Sequence, residues 1–466
     1  MANALPLARQ AGYQPDRTKE TLCKPGEAHV PSKCLLIVLD GLGDRSYARF
    51  GHLTPLASAR TPALDALAAR GASGLYHAGS LGQALPSENA HFAMFGYELC
   101  DFPGRGALEA LGSGVELAPG EVAVLAHFVS LENVDGRARL VQDLPRADAA
   151  EAKACIAAAG TFAHDGVQVR FHQTKGLFGV LVLSGGALDP RVTDSNPMRD
   201  GRFLSAVVPR AEAAADPATR RTAAALTAYL RFAHQALSCL PENAARTARG
   251  LAPLNGLVSQ RAGRLKPVTP FARRFGLKGA SLASGAVFKG LAAYLGLDFV
   301  RARETGDAEA DMFERLHLAR ELLSGDVGFL HLHTKAPDEA AHTKDPVAKL
   351  AVIEALDRAL ARGLAPFLDD PEVLTVVTAD HSTPSCGQLV HSGEPVPLTF
   401  CGPGVRRDGL SRFDEVTAAA GALGPVRGTE LMALILNALD RCRLAGIHDT
   451  PESLDYWPGD FDPFRL

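Results

Sequence analysis

Three nearly uninterrupted apolar segments constrain the fold of this chain more than any other feature of its sequence. They lie at residues 34–39 (CLLIVL), 327–332 (VGFLHL) and 373–378 (VLTVVT). Helical patterns follow at about 61–70, where Thr61 is the expected N-cap, at about 346–362 and near 429–440. Continuous apolar strands are typical of a parallel sheet that is covered on both faces. Because such strands alternate with helices here, the sequence predicts an α/β fold with a mostly parallel sheet flanked by helices.

The middle of the chain has a different pattern and predicts a second, smaller unit. Its strand-like segments and its alanine-rich helical segments lie at 122–131, 167–172 and 177–183, and at about 146–159 and 218–240. We therefore expect an inserted α+β domain at 118–255. The larger domain would then be discontinuous and consist of 1–117 and 256–466.

Composition and charge exclude several classes of protein. The net charge of −4 leaves no basic surplus for binding nucleic acid or an anionic membrane surface. No apolar run reaches the roughly 18 residues of a membrane span, and residues 1–20 lack the apolar core of a signal peptide. The eight cysteines contain no CxxC pair, as expected of free thiols in a reducing compartment. We therefore expect a cytoplasmic protein that acts on a small molecule.

Polar motifs follow the three predicted strands. Their ionisable residues are Asp40 in LDGLGD, Asp338 and His342 in KAPDEAAH, Asp380 and His381 in TADHSTP, and His391 in HSGEPVPL. Active sites of α/β folds form at the carboxyl ends of parallel strands. Residues four apart, such as Asp338 and His342, face the same side of a helix. The three carboxylates and three imidazoles form the mixed oxygen and nitrogen set that Mn²⁺ or Zn²⁺ accepts.

Each motif also has a simpler explanation when it is considered alone. An Asp-Gly pair after a strand is usually a turn, two residues in a DxxxH pattern commonly form a surface pair, and Asp-His in a loop is commonly an ordinary polar turn. The combination of all three, in this order and at these strand ends, indicates a metal-dependent enzyme.

Taken together, the motifs resemble those of metalloenzymes of the alkaline phosphatase superfamily and, more narrowly, of cofactor-independent phosphoglycerate mutases of the archaeal type. The resemblance rests on LDGLGD (39–44), PSENAHFAMFGY (86–97), PGRGALEALGSGVEL (103–117), KAPDEAAH (335–342), TADHSTP (378–384) and HSGEPVPL (391–398). It covers about 34–117 and 250–440 well and the middle segment loosely. It implies an alkaline-phosphatase-like sheet with an inserted domain.

The resemblance also implies two divalent metal ions, Mn²⁺ or Zn²⁺, with Mg²⁺ or Co²⁺ as alternatives. One ion would be held by Asp40, Ser87, Asp380 and His381, and the other by Asp338, His342 and His391. Ser87 would be the nucleophile, since metal coordination is one of the few ways to turn a serine hydroxyl into an alkoxide near neutral pH. The alternative is that Ser87 only caps a helix suggested at 89–96.

Basic residues that could bind a phosphorylated substrate are less sharply defined. Arg105, Arg261, Lys335 and His91 match family motifs, although the charged ones could be solvated and His91 could be a core residue. The arginine-rich segment that family members usually carry in the inserted domain is altered here. The remaining candidates in that domain are Arg137, Arg139, His172 and Lys175.

The resemblance therefore implies a 2,3-bisphosphoglycerate-independent phosphoglycerate mutase that acts through a phosphoserine. Because the inserted domain is altered, a two-metal phosphatase or a phosphonate-handling hydrolase of the same superfamily is the alternative. A metal-binding relative without catalytic activity is a third hypothesis.

Overall fold

The computed structural model describes residues 30–442 and the last residue, 466. Residues 1–20, in which we expect no signal peptide, lie outside the described residues, as does Cys23. The strands of the described part are, in chain order, β1 (Lys33–Leu39), β2 (Ala72–His77), β3 (Val122–Val134), β4 (Arg137–Gln142), β5 (Thr161–His164), β6 (Val167–Lys175), β7 (Phe178–Ser184), β8 (Gly256–Gly263), β9 (Gly279–Ala283), β10 (Asp298–Arg301), β11 (Phe329–Thr334), β12 (Val373–Thr378), β13 (Val396–Cys401) and β14 (Gly424–Arg427). They form two separate sheets.

The α-helices of the same part connect these strands and cover the sheets. They are α1 (Pro55–Ser58), α2 (Pro62–Arg70), α3 (Ser87–Met94), α4 (Arg105–Gly112), α5 (Ala149–Ala159), α6 (Pro217–Ser238), α7 (Pro241–Ala248), α8 (Phe271–Phe275), α9 (Ala286–Leu295), α10 (Ala308–Leu323), α11 (Ala336–His342), α12 (Pro346–Gly363), α13 (Ala365–Leu368), α14 (Glu415–Ala418) and α15 (Glu430–Ala438). In the described part of the chain, none of the helices is both long and apolar enough to cross a lipid bilayer.

The first sheet is mostly parallel and has the strand order β10-β9-β11-β1-β12-β13-β2-β14 within the described residues. β1 pairs in parallel with both β11 and β12, whereas β13 runs antiparallel to its two neighbours. The side chains of residues 34–39 are all completely buried because both faces of β1 are covered. Burying one Leu, Ile or Val side chain contributes about 1.5–3 kcal/mol, so this strand anchors the core.

The second sheet is antiparallel and consists of strands from the middle of the chain, in the order β4-β3-β7-β6-β5, with β8 paired to β3. The long helix α6 packs on it and contributes buried residues such as Leu226 and Tyr229 to a separate hydrophobic core. β8 begins at Gly256, just beyond the expected domain boundary at 255. We therefore propose that the inserted domain extends to about residue 263.

Two local expectations differ from the structure for tertiary reasons. β11 begins at Phe329 rather than at 327. The N–H groups of Gly328 and Phe329 both donate to Lys278 O, and regular pairing with β9 starts only at Phe329. The hydroxyl of Thr61 makes no capping hydrogen bond to α2. The carboxylate of Asp357 in α12 accepts hydrogen bonds from the first N–H groups of α2 instead, at 3.2 and 2.9 Å.

Candidate active site

The predicted ligand residues meet at the ends of β1, β11 and β12. Asp40 follows β1 directly, and Asp380 and His381 follow β12. Asp338 and His342 lie one turn apart in α11, which follows β11. Because β1 pairs in parallel with the other two strands, the three carboxyl ends are adjacent at one edge of the sheet.

The first group of ligand-type atoms surrounds the imidazole of His381. Its Nε2 atom lies 3.0 Å from Ser87 Oγ, 3.1 Å from Asp380 Oδ2 and 3.4 Å from Asp40 Oδ1. Asp40 Oδ1 and Asp380 Oδ2 are buried and have no hydrogen-bond partner among the described residues. Buried polar atoms are normally satisfied, so these two orphaned oxygens fit a divalent cation as their missing partner.

The electrostatics of this group also fit a cation. Burial raises the pKa of Asp40 well above its usual range, and the nearby carboxylates of Asp380 and Asp338 raise it further. Burial by itself raises the pKa of Asp380, but the neighbouring His381 and His91 imidazoles hold it well below its usual range. A cluster of carboxylates that repel one another in a buried place is stabilised when a divalent cation neutralises it.

The second group contains Asp338, His342 and His391. Asp338 Oδ2 lies 3.1 Å from His342 Nε2, and Asp338 Oδ1 lies 3.7 Å from His391 Nε2. His391 Nδ1 donates to Leu85 O at 3.0 Å, which leaves Nε2 free to act as a ligand. The two groups are adjacent, because the rings of His381 and His391 stack with their centroids 3.7 Å apart. The structure thus brings all the predicted ligand residues together.

Ser87 is the first residue of α3, and Pro86 is the N-cap. The Ser87 hydroxyl makes no capping bond and is directed at His381 Nε2 instead, so the capping alternative does not describe its role. His91, one turn later, donates from Nδ1 to Ser87 O at 2.8 Å. It is completely buried, and burial lowers its pKa.

A buried lysine ties together the loops that follow β1 and β12. Lys349 of α12 donates from Nζ to Gly43 O at 2.8 Å, to Thr383 O at 2.9 Å and to Asp44 Oδ2 at 3.1 Å. Burial lowers the pKa of Lys349, and the Asp44 carboxylate opposes this effect. Asp44 also accepts hydrogen bonds from the backbone N–H and the hydroxyl of Ser385. The two loops therefore share one hydrogen-bonded network.

This network predicts a large loss of stability when the charged side chain of Lys349 is removed. Lys349→Met should lower the free energy of unfolding by roughly 3–5 kcal/mol, because Asp44 would stay buried without its charged partner. Lys349→Met combined with Asp44→Asn should lose less, since no uncompensated charge remains. Denaturant unfolding of the metal-free proteins measures both. Equal stability of the single variant and the wild type would contradict the prediction.

A cavity of about 680 Å³ lies beside Ser87 and is lined by Pro86, Glu88 and Asn89 on that side. Its cationic residues within the described part of the chain are Arg105, Arg191, Arg210, Arg261, Arg264 and Lys266. The buried carboxylate of Glu88 accepts from Arg261 Nη1 at 3.0 Å and lies 3.5 Å from Arg105 Nη1. Guanidinium groups in such a cavity favour a ligand with carboxylate or phosphate groups.

The structure sorts the predicted substrate-binding residues into two sets. Arg105 and Arg261 line the cavity, and the half-buried Lys335 lies near the metal-ligand groups, where its charge lowers the pKa of Asp40. His91 does not line the cavity: it packs against Phe288 and the neighbouring histidines in the core. The structure therefore places His91 behind Ser87 rather than against the cavity.

The four candidates from the inserted domain are not among the described residues that line the cavity. Arg139 pairs with Glu132 at the far end of β3, whereas Gly263, beside the cavity, pairs with Ala123 near its start. Nine residues of strand separate these positions, which corresponds to roughly 30 Å. Arg137 lies on the same strand as Arg139, and its guanidinium group stacks over the ring of Phe203.

His172 and Lys175 lie on β6, on the other side of β7 from β3. None of the four residues lines the cavity, and their role in binding a phosphorylated substrate stays a prediction.

Sequence reasoning missed several residues of the site. Among them are Arg191, Arg210, Arg264, Lys266 and Lys349. Arg264 lies in the same SQRAGR segment as Arg261 and could have been found there. Arg191 and Arg210 belong to the irregular stretch between β7 and α6, where no periodicity indicates which side chains face a cavity.

Comparisons with known proteins cover nearly all of the described chain. The family model of the metalloenzyme superfamily matches residues 32–438. The chain is 36% identical over 436 residues to the 2,3-bisphosphoglycerate-independent phosphoglycerate mutase 2 of Methanocaldococcus jannaschii. The alignment covers 92% of this chain and 98% of that protein. The chain is also 36% identical over 420 residues to the 2,3-bisphosphoglycerate-independent phosphoglycerate mutase of Methanopyrus kandleri, covering 89% and 98% of the two chains.

Solved structures show the same similarity. A protein from Pyrococcus horikoshii superimposes with a TM-score of 0.73 at 30% identity and covers 90% of this chain and 100% of that one. The cofactor-independent phosphoglycerate mutase from Thermoplasma acidophilum superimposes with a TM-score of 0.61 at 29% identity and covers 87% and 99%. Both sheets lie within residues 32–438, the range that the family model matches.

Proposed function

The chain belongs to the metalloenzyme superfamily and, within it, to the 2,3-bisphosphoglycerate-independent phosphoglycerate mutases, and from this premise we infer that it interconverts 3- and 2-phosphoglycerate, a step of glycolysis. It is a metal-dependent isomerase that moves a phosphoryl group within one small substrate. The observation that supports this reaction most directly is the position of Ser87. Its hydroxyl contacts the first ligand group, while its neighbours Pro86 and Glu88 line the arginine-rich cavity.

We propose that the two ligand groups each hold one divalent cation, Mn²⁺ or Zn²⁺, with Mg²⁺ or Co²⁺ as alternatives. The first would be held by Asp40, Ser87, Asp380 and His381, and the second by Asp338, His342 and His391. When bound, such cations lower the pKa of a coordinated hydroxyl and neutralise the charge of a phosphoryl group. The orphaned oxygens of Asp40 and Asp380 support the first assignment.

Ser87 acts as the nucleophile in this proposal. Its oxygen forms a bond to phosphorus as the bond between phosphorus and the C3 or C2 oxygen of the substrate breaks. The serine proton is released and the departing glycerate oxygen takes up a proton, so that the protons balance. The phosphoserine then returns the phosphoryl group to the other oxygen of the bound glycerate, and Ser87 is regenerated.

A mutase must hold the glycerate between the two transfers, and the arginine-lined cavity supports this. Arg261 donates to the carboxylate of Glu88, which follows Ser87 in the chain. Arg105 donates to Glu109 and lies 3.5 Å from the same Glu88 carboxylate. A guanidinium group binds a carboxylate through two parallel hydrogen bonds, which fixes its orientation. Water would take the phosphoryl group if the glycerate were released early, and the enzyme would then act as a phosphatase.

Arg261→Ala should therefore shift the products from isomerised phosphoglycerate towards free phosphate. The loss of a charge-assisted contact of roughly 1.5–3 kcal/mol corresponds to about a 10- to 150-fold change in the ratio of the two products. The ratio is measured with 3-phosphoglycerate as substrate, by assaying 2-phosphoglycerate and inorganic phosphate together.

Arg139→Ala is the matched control, because Arg139 is an exposed arginine of the inserted domain that pairs with Glu132 far from the cavity. It should leave the product ratio unchanged. A change in the ratio for Arg139→Ala but not for Arg261→Ala would remove the support for this cavity as the acceptor site. Free phosphate as the main product of the wild type would favour the hydrolase.

We also propose a cytoplasmic location. All seven cysteines in the described part of the chain are free, and buried thiols such as Cys34 and Cys155 are typical of a reducing compartment.

A further inference from the structure

Thr383 contacts one residue of each proposed cation group. Its side chain is completely buried, and its hydroxyl donates to Asp338 Oδ1 at 2.7 Å. The same oxygen lies 3.1 Å from His381 Nδ1. Asp338 belongs to the second group and His381 to the first, so one hydroxyl connects the two.

The position of the protons follows from these contacts. A carboxylate that binds a cation is ionised and can only accept hydrogen bonds, so the hydroxyl proton of Thr383 is directed at Asp338. The oxygen of Thr383 is then left as an acceptor, and His381 must carry its proton on Nδ1 to use it. Nε2 is the ring atom that faces Ser87 Oγ at 3.0 Å and the carboxylates of Asp40 and Asp380. A cation held by these groups would take Nε2 as its ligand, which requires the neutral ring with its proton on Nδ1.

We propose that Thr383 is a positioning residue that selects the tautomer of His381 and couples the two cation groups through Asp338. The inference rests on the proposed function for the identity of those groups. A histidine ligand commonly donates its second ring N–H to a fixed acceptor, and loss of that acceptor weakens metal binding. Here the acceptor is a hydroxyl that also orients a ligand of the neighbouring group.

The surrounding backbone holds Thr383 in place without its hydroxyl. Its N–H donates to Gly43 O at 2.9 Å, and its carbonyl accepts from Lys349. Gly41 leaves the space that the hydroxyl occupies: a Cβ at this residue would lie 2.6 Å from Thr383 Oγ1, and its φ of +65° also favours glycine. A substitution that removes only the hydroxyl should therefore keep the loop and change the two side-chain contacts.

The experiment measures Mn²⁺ binding to metal-free protein by calorimetry. Thr383→Val keeps the shape of the side chain and should weaken Mn²⁺ binding by roughly 10- to 100-fold. Thr383→Ser keeps the hydroxyl and should bind Mn²⁺ close to the wild-type affinity. Thr378→Val is the matched control, since its buried hydroxyl donates to Pro397 O at 2.9 Å and contacts neither group. Thermal unfolding of the metal-free proteins separates a loss of stability from a loss of affinity.

Weakening by Thr383→Val alone, with recovery in Thr383→Ser, would support the inference. Wild-type affinity in Thr383→Val would overturn it, and so would equal weakening in Thr378→Val. If Thr383→Val does not fold, Thr383→Ala replaces it with the same expectation. A wild-type protein that binds no Mn²⁺, Zn²⁺, Mg²⁺ or Co²⁺ would contradict the proposed function itself. If the wild type binds two cations and Thr383→Val binds Mn²⁺ with the same affinity, only this inference is contradicted.

Discussion

Replacing Ser87 with alanine should yield a folded protein that still binds divalent cations and substrate but forms no phosphoenzyme. Turnover should fall by roughly 10⁴- to 10⁶-fold, because the reaction would lose the oxygen that we propose accepts the phosphoryl group. Ser87 Oγ lies 3.0 Å from His381 Nε2, and the Ser87 carbonyl accepts a hydrogen bond from His91, so the proposed nucleophile is held from both sides. Brief incubation with radiolabelled phosphoglycerate, an acid quench and peptide mapping locate the label.

Ser80→Ala is a suitable control, because Ser80 is an exposed serine in the loop before α3. It should form the phosphoenzyme as the wild type does. Label on a residue other than Ser87, or wild-type turnover in Ser87→Ala, would show that the nucleophile is a different group.

The second large effect concerns the first ligand group, which consists of Asp40, Ser87, Asp380 and His381. Asp380→Asn combined with His381→Ala should lower the cation content from two to one per chain and abolish turnover. Two of the four proposed ligands are lost, and Ser87 is left without the group that lowers the pKa of its hydroxyl. Elemental analysis after equilibrium dialysis against Mn²⁺ or Zn²⁺ measures the content and also identifies the preferred cation.

The control for this double variant is Asp326→Asn combined with His317→Ala, which changes an exposed aspartate and an exposed histidine outside the site. Its cation content and turnover should match those of the wild type. An undiminished content of two cations in the Asp380 and His381 variant would refute the ligand assignment.

Much of the site could be predicted because its residues are attached to strands that the sequence marks clearly. Asp40 comes directly after β1 and Asp380 comes two residues after β12, and the apolar segments of both strands are buried on both faces. A polar residue at the end of such a strand has little freedom in where it can lie, and parallel pairing brings the strand ends together. The fold class and the gathering of the ligand residues followed from the same reasoning.

The cavity could not be predicted in the same way. Arg139 and Arg261 lie in β4 and β8, and although Arg261 matches a family motif, no periodicity in the sequence shows which of them is near Ser87. Their positions differ by roughly 30 Å because β3 is long and the two arginines lie beside its opposite ends. Only the antiparallel register of the second sheet determines which of them is near Ser87.

Local sequence thus determined the strands, the motifs that follow them and the chemistry of their ligand atoms, because burial pattern and side-chain type are properties of short segments. The tertiary structure alone decided which distant groups complete those motifs. Asp357 caps α2 in place of Thr61, and Lys349 joins the loops of Asp44 and Thr383. Each of these contacts joins side chains from elements that are distant in the chain, and a hydrogen bond requires its two atoms to lie within about 3 Å. That distance is fixed only when the whole core has packed.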